Sequence, residues 1–305
     1  MRDEQVRNIL PARVRQVIEQ EPDAAGGIQE IRLRTGQPLL IRCGGRERIP
    51  GRAGPYIVTA RDLRETVDYA SNYSLYAYEE EMRQGFITIE GGHRVGLTGQ
   101  VIVENGHVRN LKHISSVNIR VSHEVRGCSD KVFPRITYNR QVAHTLIISP
   151  PGCGKTTLLR DMVRQISDGN AYVKGMTVGV VDERSEIGGC CRGVAQNDLG
   201  IRTDVLDGCP KAEGMIMLIR SMAPQVIAVD EIGAEEDVHA VEYAMHCGCK
   251  MIATMHGDSL EELRRKPVSG QMVEKRRFER YVILRGRGEV EAILDGDGRE
   301  VGRGT

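Results

Sequence analysis

The segment SPPGCGKTT, Ser149 to Thr157, lies between an apolar run, TLIIS, and a helix-like stretch, LLRDMVRQI. A strand that ends in a glycine-rich turn and opens a helix aims several backbone N–H groups, and the positive end of a helix dipole, at one anion. That placement commits this part of the chain to a strand–loop–helix unit that binds a nucleoside triphosphate. In the spacing G-x-x-x-x-G-K-[ST], Pro151, Gly152, Cys153, Gly154, Lys155, Thr156 and Thr157 are the expected phosphate-binding residues. Gly152 and Gly154 let the backbone close around phosphate, Lys155 reaches the β- and γ-phosphates, and the Thr156 hydroxyl holds Mg2+. Ser149 stands where the pattern has its first glycine, and Pro150 with Pro151 stiffens the start of the loop.

The unit is not alone. TVGVVD at 177–182, QVIAVD at 225–230 and KMIATM at 250–255 are further near-continuous apolar runs alternating with helical segments. Such runs predict a parallel sheet covered on both faces, with ligands bound outside the carboxyl ends of its strands. Each run delivers polar residues at that end. Asp230 is the expected second Mg2+ contact, and Glu231 the group that polarises the attacking water. Thr254 and His256 close the KMIATMH run, where a polar side chain can sense the γ-phosphate. Asp182 and Glu183 in VVDERSEI either assist Mg2+ and water positioning or cap a helix. The tail YVILRGRGEVEAILDGDG reads as two strands extending the sheet edge.

The first half has a different grammar. Apolar residues at helical spacing predict an amphipathic helix over 3–20, and IQEIRLR, PLLIRC and PYIVT are short strand-like runs separated by glycine breaks. Thr59 with Asp62 three residues later predicts a capping box and a helix through about Ser71, followed by a second helix over 74–85. FITI, RVGLTGQVIV and VNIRV then form a β-meander, joined by the turns EGGH and ENG. Residues 122–141, which include Pro134, read as a connection. The expected division is an α+β domain over 1–138 and a nucleotide-binding domain over 139–305.

Composition narrows the partners. Lysine plus arginine equals aspartate plus glutamate at 42 each, and tryptophan is absent, so bulk charge and base-stacking aromatics both argue against nucleic acid. The arginines of residues 30–64 (Arg32, Arg34, Arg42, Arg46, Arg48, Arg52, Arg61 and Arg64) keep a nucleotide-regulated RNA- or DNA-binding protein as the alternative. The N-terminus lacks a signal-peptide core, and no run approaches the roughly 20 apolar residues of a membrane span, so a cytoplasmic protein with reduced cysteines is expected. Cys190–Cys191 and Cys247/Cys249 lack the C-x-x-C spacing of a zinc site and read as small thiols.

In order along the chain, SPPGCGKTT, VVDERSEIGG, LIRSMAPQVIAVDEIG and TMHGDSLEEL resemble the phosphate loop, acidic box, second nucleotide motif and histidine box of the type II/IV secretion ATPases. SLYAYEEEMRQGFITIEGGHRVGLTGQ, LKHISSVNIR and GIRTDVLDGCPKAEGM resemble a sporulation branch found in endospore-forming bacteria, over nearly the whole chain. The resemblance implies an α/β fold: a RecA-like P-loop NTPase domain with a mainly parallel sheet, preceded by a smaller α+β N-terminal domain. It also implies an ATPase that uses ATP and Mg2+ and self-associates, as a hexameric ring, to energise membrane-embedded sporulation channel proteins. The ring would be peripheral to the membrane through those partners. By position, Glu183 falls in the acidic box, Glu231 at the catalytic base and His256 in the histidine box, while Asp230 stands where the secretion ATPases usually have glycine. NIRVSHEV resembles the stretch whose arginine reaches nucleotide from the N-terminal domain, which makes Arg120 the first arginine-finger candidate, ahead of Arg94 and Arg220.

Overall fold

The computed structural model describes residues 4–21, 27–51, 54–74, 78–83, 85–104, 106–286 and 288–302. The chain divides into two compact units, 1–123 and 124–305. Arg52, the 75–77 stretch and Gln84 of the second expected helix, Asn105 of the ENG turn and Arg287 of the last turn lie outside the described residues.

In the first unit the chain runs α1 (Glu4–Asn8), α2 (Ala12–Glu19), β1 (Ile28–Arg34), β2 (Leu40–Cys43), β3 (Arg46–Arg48), α3 (Ala60–Ala70), α4 (Glu79–Arg83), β4 (Phe86–Ile89), β5 (His93–Glu104) and β6 (His107–Arg120). The six strands form one antiparallel sheet, ordered β3-β2-β1-β6-β5-β4. Alternation sets its two faces. Ile31, Leu33, Ile41, Val95, Leu97, Val117 and Ile119 point into the core with Leu63 and Val67 of α3 and Val14 and Ile18 of α2. The helix expected over 3–20 is two helices, because Pro11 has no N–H to give and biases Leu10 away from helical backbone. The capping box forms: Asp62 Oδ2 accepts from the Thr59 N–H at 2.7 Å, and the Asp62 N–H donates back to Thr59 Oγ1. PYIVT is not a sheet strand: it makes the isolated bridge Pro38–Ile57 with backbone bonds to residues 36–39, and the sheet edge is Arg46–Arg48, wholly exposed.

The second unit runs α5 (Phe133–Ile136), β7 (Thr137–Tyr138), β8 (Gln141–Val142), β9 (Thr145–Ser149), α6 (Lys155–Asp168), β10 (Val178–Asp182), β11 (Thr203–Asp207), α7 (Lys211–Ser221), β12 (Val226–Val229), α8 (Glu235–His246), β13 (Lys250–His256), α9 (Leu260–Arg265), α10 (Pro267–Glu274), β14 (Arg280–Arg285) and β15 (Glu289–Asp295). Seven strands make the main sheet, ordered β11-β10-β12-β13-β9-β14-β15. Only the terminal hairpin β14–β15 is an antiparallel pair. The four strands β9, β10, β12 and β13 are buried almost end to end, as a sheet covered on both faces requires. Strand β11, drawn from TDVLD, was not expected: half-exposed along its length at the sheet edge, it lacks the apolar continuity of its neighbours.

The division at 123/124 falls inside the stretch read as a connection. The segment beyond it is core, not linker. Val132, Phe133 and Ile136 are fully buried with Leu159, Met162 and Ile166 of α6. Asp161 of α6 ties the same segment down, accepting from the Ser129 hydroxyl at 2.6 Å, the Ser129 N–H at 2.9 Å and Arg164 Nη2 at 2.6 Å. Burial works against its charge, but the Ser129 bonds and Arg164 outweigh burial and hold the carboxyl at about 2. Because the folded pKa lies below the unfolded value of about 4, this contribution is complete above that value and is lost as pH falls toward 2. Asp161→Asn is therefore expected to lose about 2 kcal/mol at pH 7 in urea denaturation, the gap from wild type narrowing below about pH 4. A gap independent of pH would show that the contact is not ionic.

Candidate functional site

The sheet brings together the carboxyl ends of β9, β12 and β13. His256 pairs in register with Ser149, at the start of the phosphate loop. The loop turns through Gly152 and Gly154, at φ +74° and +86°, a region that glycine enters without the Cβ penalty. Gly154 is also crowded, since a Cβ there would lie 3.3 Å from the Cα of Gly288 in the β14–β15 turn. Helix α6 then opens at Lys155, with Thr156 and Thr157 in its first turn.

Two sets of three side chains converge on this helix start. Lys155 is buried and donates from Nζ to Glu231 Oε1 at 2.9 Å. Nε2 of His256 lies 2.8 Å from the same oxygen and 3.1 Å from Lys155 Nζ. Beside them, the Thr156 hydroxyl donates to Asp230 Oδ2 at 2.6 Å, and the Thr254 hydroxyl donates to Asp230 Oδ1. The Thr254 hydroxyl also accepts from the Glu231 N–H at 2.9 Å, while its carbonyl accepts from Ile232 N–H at 3.0 Å. Strand β13 thus pins a sharp turn after β12, in which Glu231 adopts φ +56°. A non-glycine residue held in that region marks a turn whose surroundings over-determine it.

Burial by itself would raise the Glu231 carboxyl. The Lys155 hydrogen bond and charge, with Arg184 and His256, outweigh it and hold the group below the ordinary carboxylate value. The cluster is therefore an ionised carboxylate gripped by cations, in the place where a triphosphate would meet Lys155. Asp230 and Thr156 offer hard oxygen donors side by side, the donor chemistry Mg2+ prefers when it keeps water and substrate phosphate as its other ligands. Among the described residues no group of three or more His, Cys, Asp or Glu side chains could hold a metal by itself.

The acidic box divides. Asp182 is buried and saturated: its carboxylate accepts from the N–H groups of Glu186 at 2.8 Å, Ile187 at 3.0 Å and Gly188 at 2.7 Å. Burial pushes its carboxyl up despite those three bonds. The carboxylate thus closes a turn and not the helix start expected from sequence, since no helix follows β10 before α7. Glu183 is not drawn into the cluster, since its carboxylate bonds the Lys211 ammonium of α7. Arg120 and Arg94 belong to the first unit, where they stand directly opposite one another on β6 and β5. Arg220 is exposed in the last turn of α7. The residue missed from sequence is Arg184, whose Nη1 lies 2.6 Å from Glu231 Oε2. A signal existed, because Arg184 directly follows the acidic pair at a strand end.

The cysteines are all free. Burial pushes the Cys190 thiol up to about 12 and that of Cys128 up to about 11, which makes both poor nucleophiles.

Known proteins resemble this chain at two levels. The family described as sporulation stage III, protein AA, matches residues 1–301. Stage III sporulation protein AA of Bacillus subtilis (strain 168) is 43% identical over 306 residues, spanning 99% of this chain and 98% of its own length. Among solved structures, the ATPase DotB of Legionella pneumophila superposes with a TM-score of 0.59 at 17% identity, over 90% of this chain and 76% of its own. The pilus retraction motor PilT, solved with bound ADP, gives a TM-score of 0.56 at 17% identity, over 86% of this chain and 76% of its own. At such identities the likeness is one of fold: an antiparallel-sheet domain followed by a mostly parallel-sheet ATPase-type domain.

Proposed function

We propose that this chain, which belongs to the sporulation stage III protein AA family, is a Mg2+-dependent ATPase that works as a ring of identical subunits and energises a membrane-embedded, secretion-like assembly during sporulation. The observation that carries the reading is the convergence of Lys155, Thr156, Asp230, Glu231 and His256 at one helix start.

The geometry suggests how these side chains divide the work. The amides of the loop from Pro151 to Thr157 and the start of α6 bind the triphosphate. Lys155 exchanges its contact with Glu231 for the β- and γ-phosphates, which frees Oε1 of Glu231 to take the proton of the attacking water. His256, released from the same oxygen, is left beside the γ-phosphate. Thr156 and Asp230 would hold Mg2+, which when bound neutralises phosphate charge. Glu183, paired with Lys211, serves from a distance by fixing the loop after β10. Arg120, carried by the N-terminal unit, is the arginine supplied to a neighbouring subunit's nucleotide, with Arg94 the next candidate. In this reading the ring works on the cytoplasmic side and meets the membrane through its channel partners; among the described residues no helix is long and apolar enough to cross a membrane.

An arginine supplied in trans makes turnover depend on assembly, with rate gains of about 10³-fold or more where such a residue is added. Specific ATPase activity should therefore rise with protein concentration in step with particle mass measured with ATP present. Turnover that stays constant per chain while the protein remains monomeric would remove the ring, and no turnover at any concentration would remove the ATPase.

A further inference from the structure

Arg184 sits on a loop whose neighbouring residues on either side are tied down. Before it, Glu183 is paired with Lys211. After it, Ser185 turns through φ +51° with its hydroxyl on Asp207. Beyond that, the Asp182 carboxylate collects the N–H groups of Glu186, Ile187 and Gly188. Arg160, from the same helix that carries Lys155 and Thr156, donates to the carbonyls of Glu186 at 2.7 Å and Ile187 at 2.9 Å, and Asn197 adds a bond at 2.9 Å to the latter. A backbone so held leaves little freedom except in the Arg184 side chain, which is 65% exposed and yet reaches a half-buried carboxylate.

The contacts on that carboxylate are divided by oxygen. Lys155 and His256 share Oε1, and Arg184 takes Oε2. A triphosphate in the loop competes for Lys155, the lysine of the phosphate-binding pattern. Arg184, anchored on a different loop, keeps its oxygen. We propose that Arg184 is a positioning residue for hydrolysis: it holds Oε2 of Glu231 when nucleotide draws Lys155 away, so that Oε1 alone faces the attacking water. This inference rests on the ATPase reading above and adds to it the residue that orients the base. A planar guanidinium suits the task, because it fixes direction as well as charge.

The consequence is a split between rate and binding. In Arg184→Ala the side chain of Glu231 keeps its chemistry but loses its orientation, and a misplaced catalytic group costs up to about 10²-fold in rate. The expected result is a 10- to 100-fold fall in kcat, with the KM for ATP and the dissociation constants of ATP and ADP within about threefold of wild type. Arg184→Lys should recover part of kcat. In a Glu231→Gln background, Arg184→Ala should remove no further rate in single-turnover measurements, since it acts through that side chain. Because Arg184 is exposed and its loop is held by other residues, the variant should melt as wild type does, which a thermal scan checks.

Other outcomes overturn the proposal. An unchanged kcat means that Glu231 needs no such anchor. A loss of ATP affinity with ADP affinity intact places Arg184 on the γ-phosphate instead, and additive losses in the double variant show that it does not act through Glu231. If wild-type protein itself binds nucleotide but never turns it over, the ATPase reading fails first and the proposal goes with it, a result distinct from an active wild type with an equally active Arg184→Ala.

Discussion

Glu231→Gln is expected to lower ATP turnover by about 10²- to 10⁴-fold, the usual loss when a positioned general base is removed, while nucleotide still binds. Glutamine has nearly the shape of glutamate, and the turn that presents it is held through the backbone, by the Thr254 hydroxyl and carbonyl, so the fold around the site should survive. The sign of the binding effect is also set by the geometry. In the nucleotide-free cluster Lys155 is engaged by Glu231 at 2.9 Å, and a triphosphate must displace that contact. A neutral amide releases the ammonium more readily, so ATP should bind as tightly as to wild type or more tightly. Turnover under saturating ATP and titration with a fluorescent nucleotide separate the two quantities. Normal hydrolysis by Glu231→Gln would show that another group activates the water. A parallel loss of binding would show that the carboxylate serves the nucleotide itself.

The parts of this architecture that were legible in the sequence share one property: local chemistry and long-range packing ask for the same thing there. TLIIS, QVIAVD and KMIATM are short, apolar and bounded by polar residues, and each is a buried central strand. Thr59 and Asp62 announce their capping box without outside help. Where packing decides alone, the pattern misleads. TDVLD has the polarity of a loop and becomes an edge strand because Val178–Asp182 offers it a free parallel edge. Residues 132–136 look like a linker beside Pro134, yet Phe133 is buried because α6 needs a cover on that side. The expected strand PYIVT and the unbroken helix over 3–20 fail in the opposite direction: the first, though bonded through its backbone to residues 36–39, reaches only the isolated bridge Pro38–Ile57, and the second is interrupted by Pro11.

The candidate site obeys the same logic. Lys155, Thr156, Asp230, Glu231 and His256 can be anticipated because parallel strands place their carboxyl ends in one row. The contact between Arg184 and Glu231 depends on how the loop after β10 folds back, and Asp182, Arg160 and Asn197 settle that through bonds to backbone that no spacing rule records. The same loop keeps Glu183 away from the cluster by pairing it with Lys211.

Lys155→Ala should have the complementary phenotype, losing nucleotide binding and turnover together. Hydrogen bonds from a charged donor contribute about 1.5–3 kcal/mol each, so removing an ammonium that serves two phosphates predicts at least about 10²-fold weaker ATP binding. The nucleotide-free protein should respond as well, because Lys155 is buried against the Glu231 carboxylate. Deleting one partner leaves the other charge half-buried with only His256 and Arg184 to answer it, and such unbalanced deletions usually destabilise. The double variant Lys155→Ala/Glu231→Gln removes both charges and should recover stability lost in Lys155→Ala without recovering binding. Melting temperature and nucleotide affinity, measured on the same three proteins, therefore read two different roles of one side chain. If Lys155→Ala kept its affinity for ATP, the phosphate-binding assignment of the loop from Ser149 to Thr157 would fall. If the double variant recovered no stability, the ion pair between Lys155 and Glu231 would not be a feature of the nucleotide-free protein, and the exchange of Lys155 from carboxylate to phosphate would lose its first half.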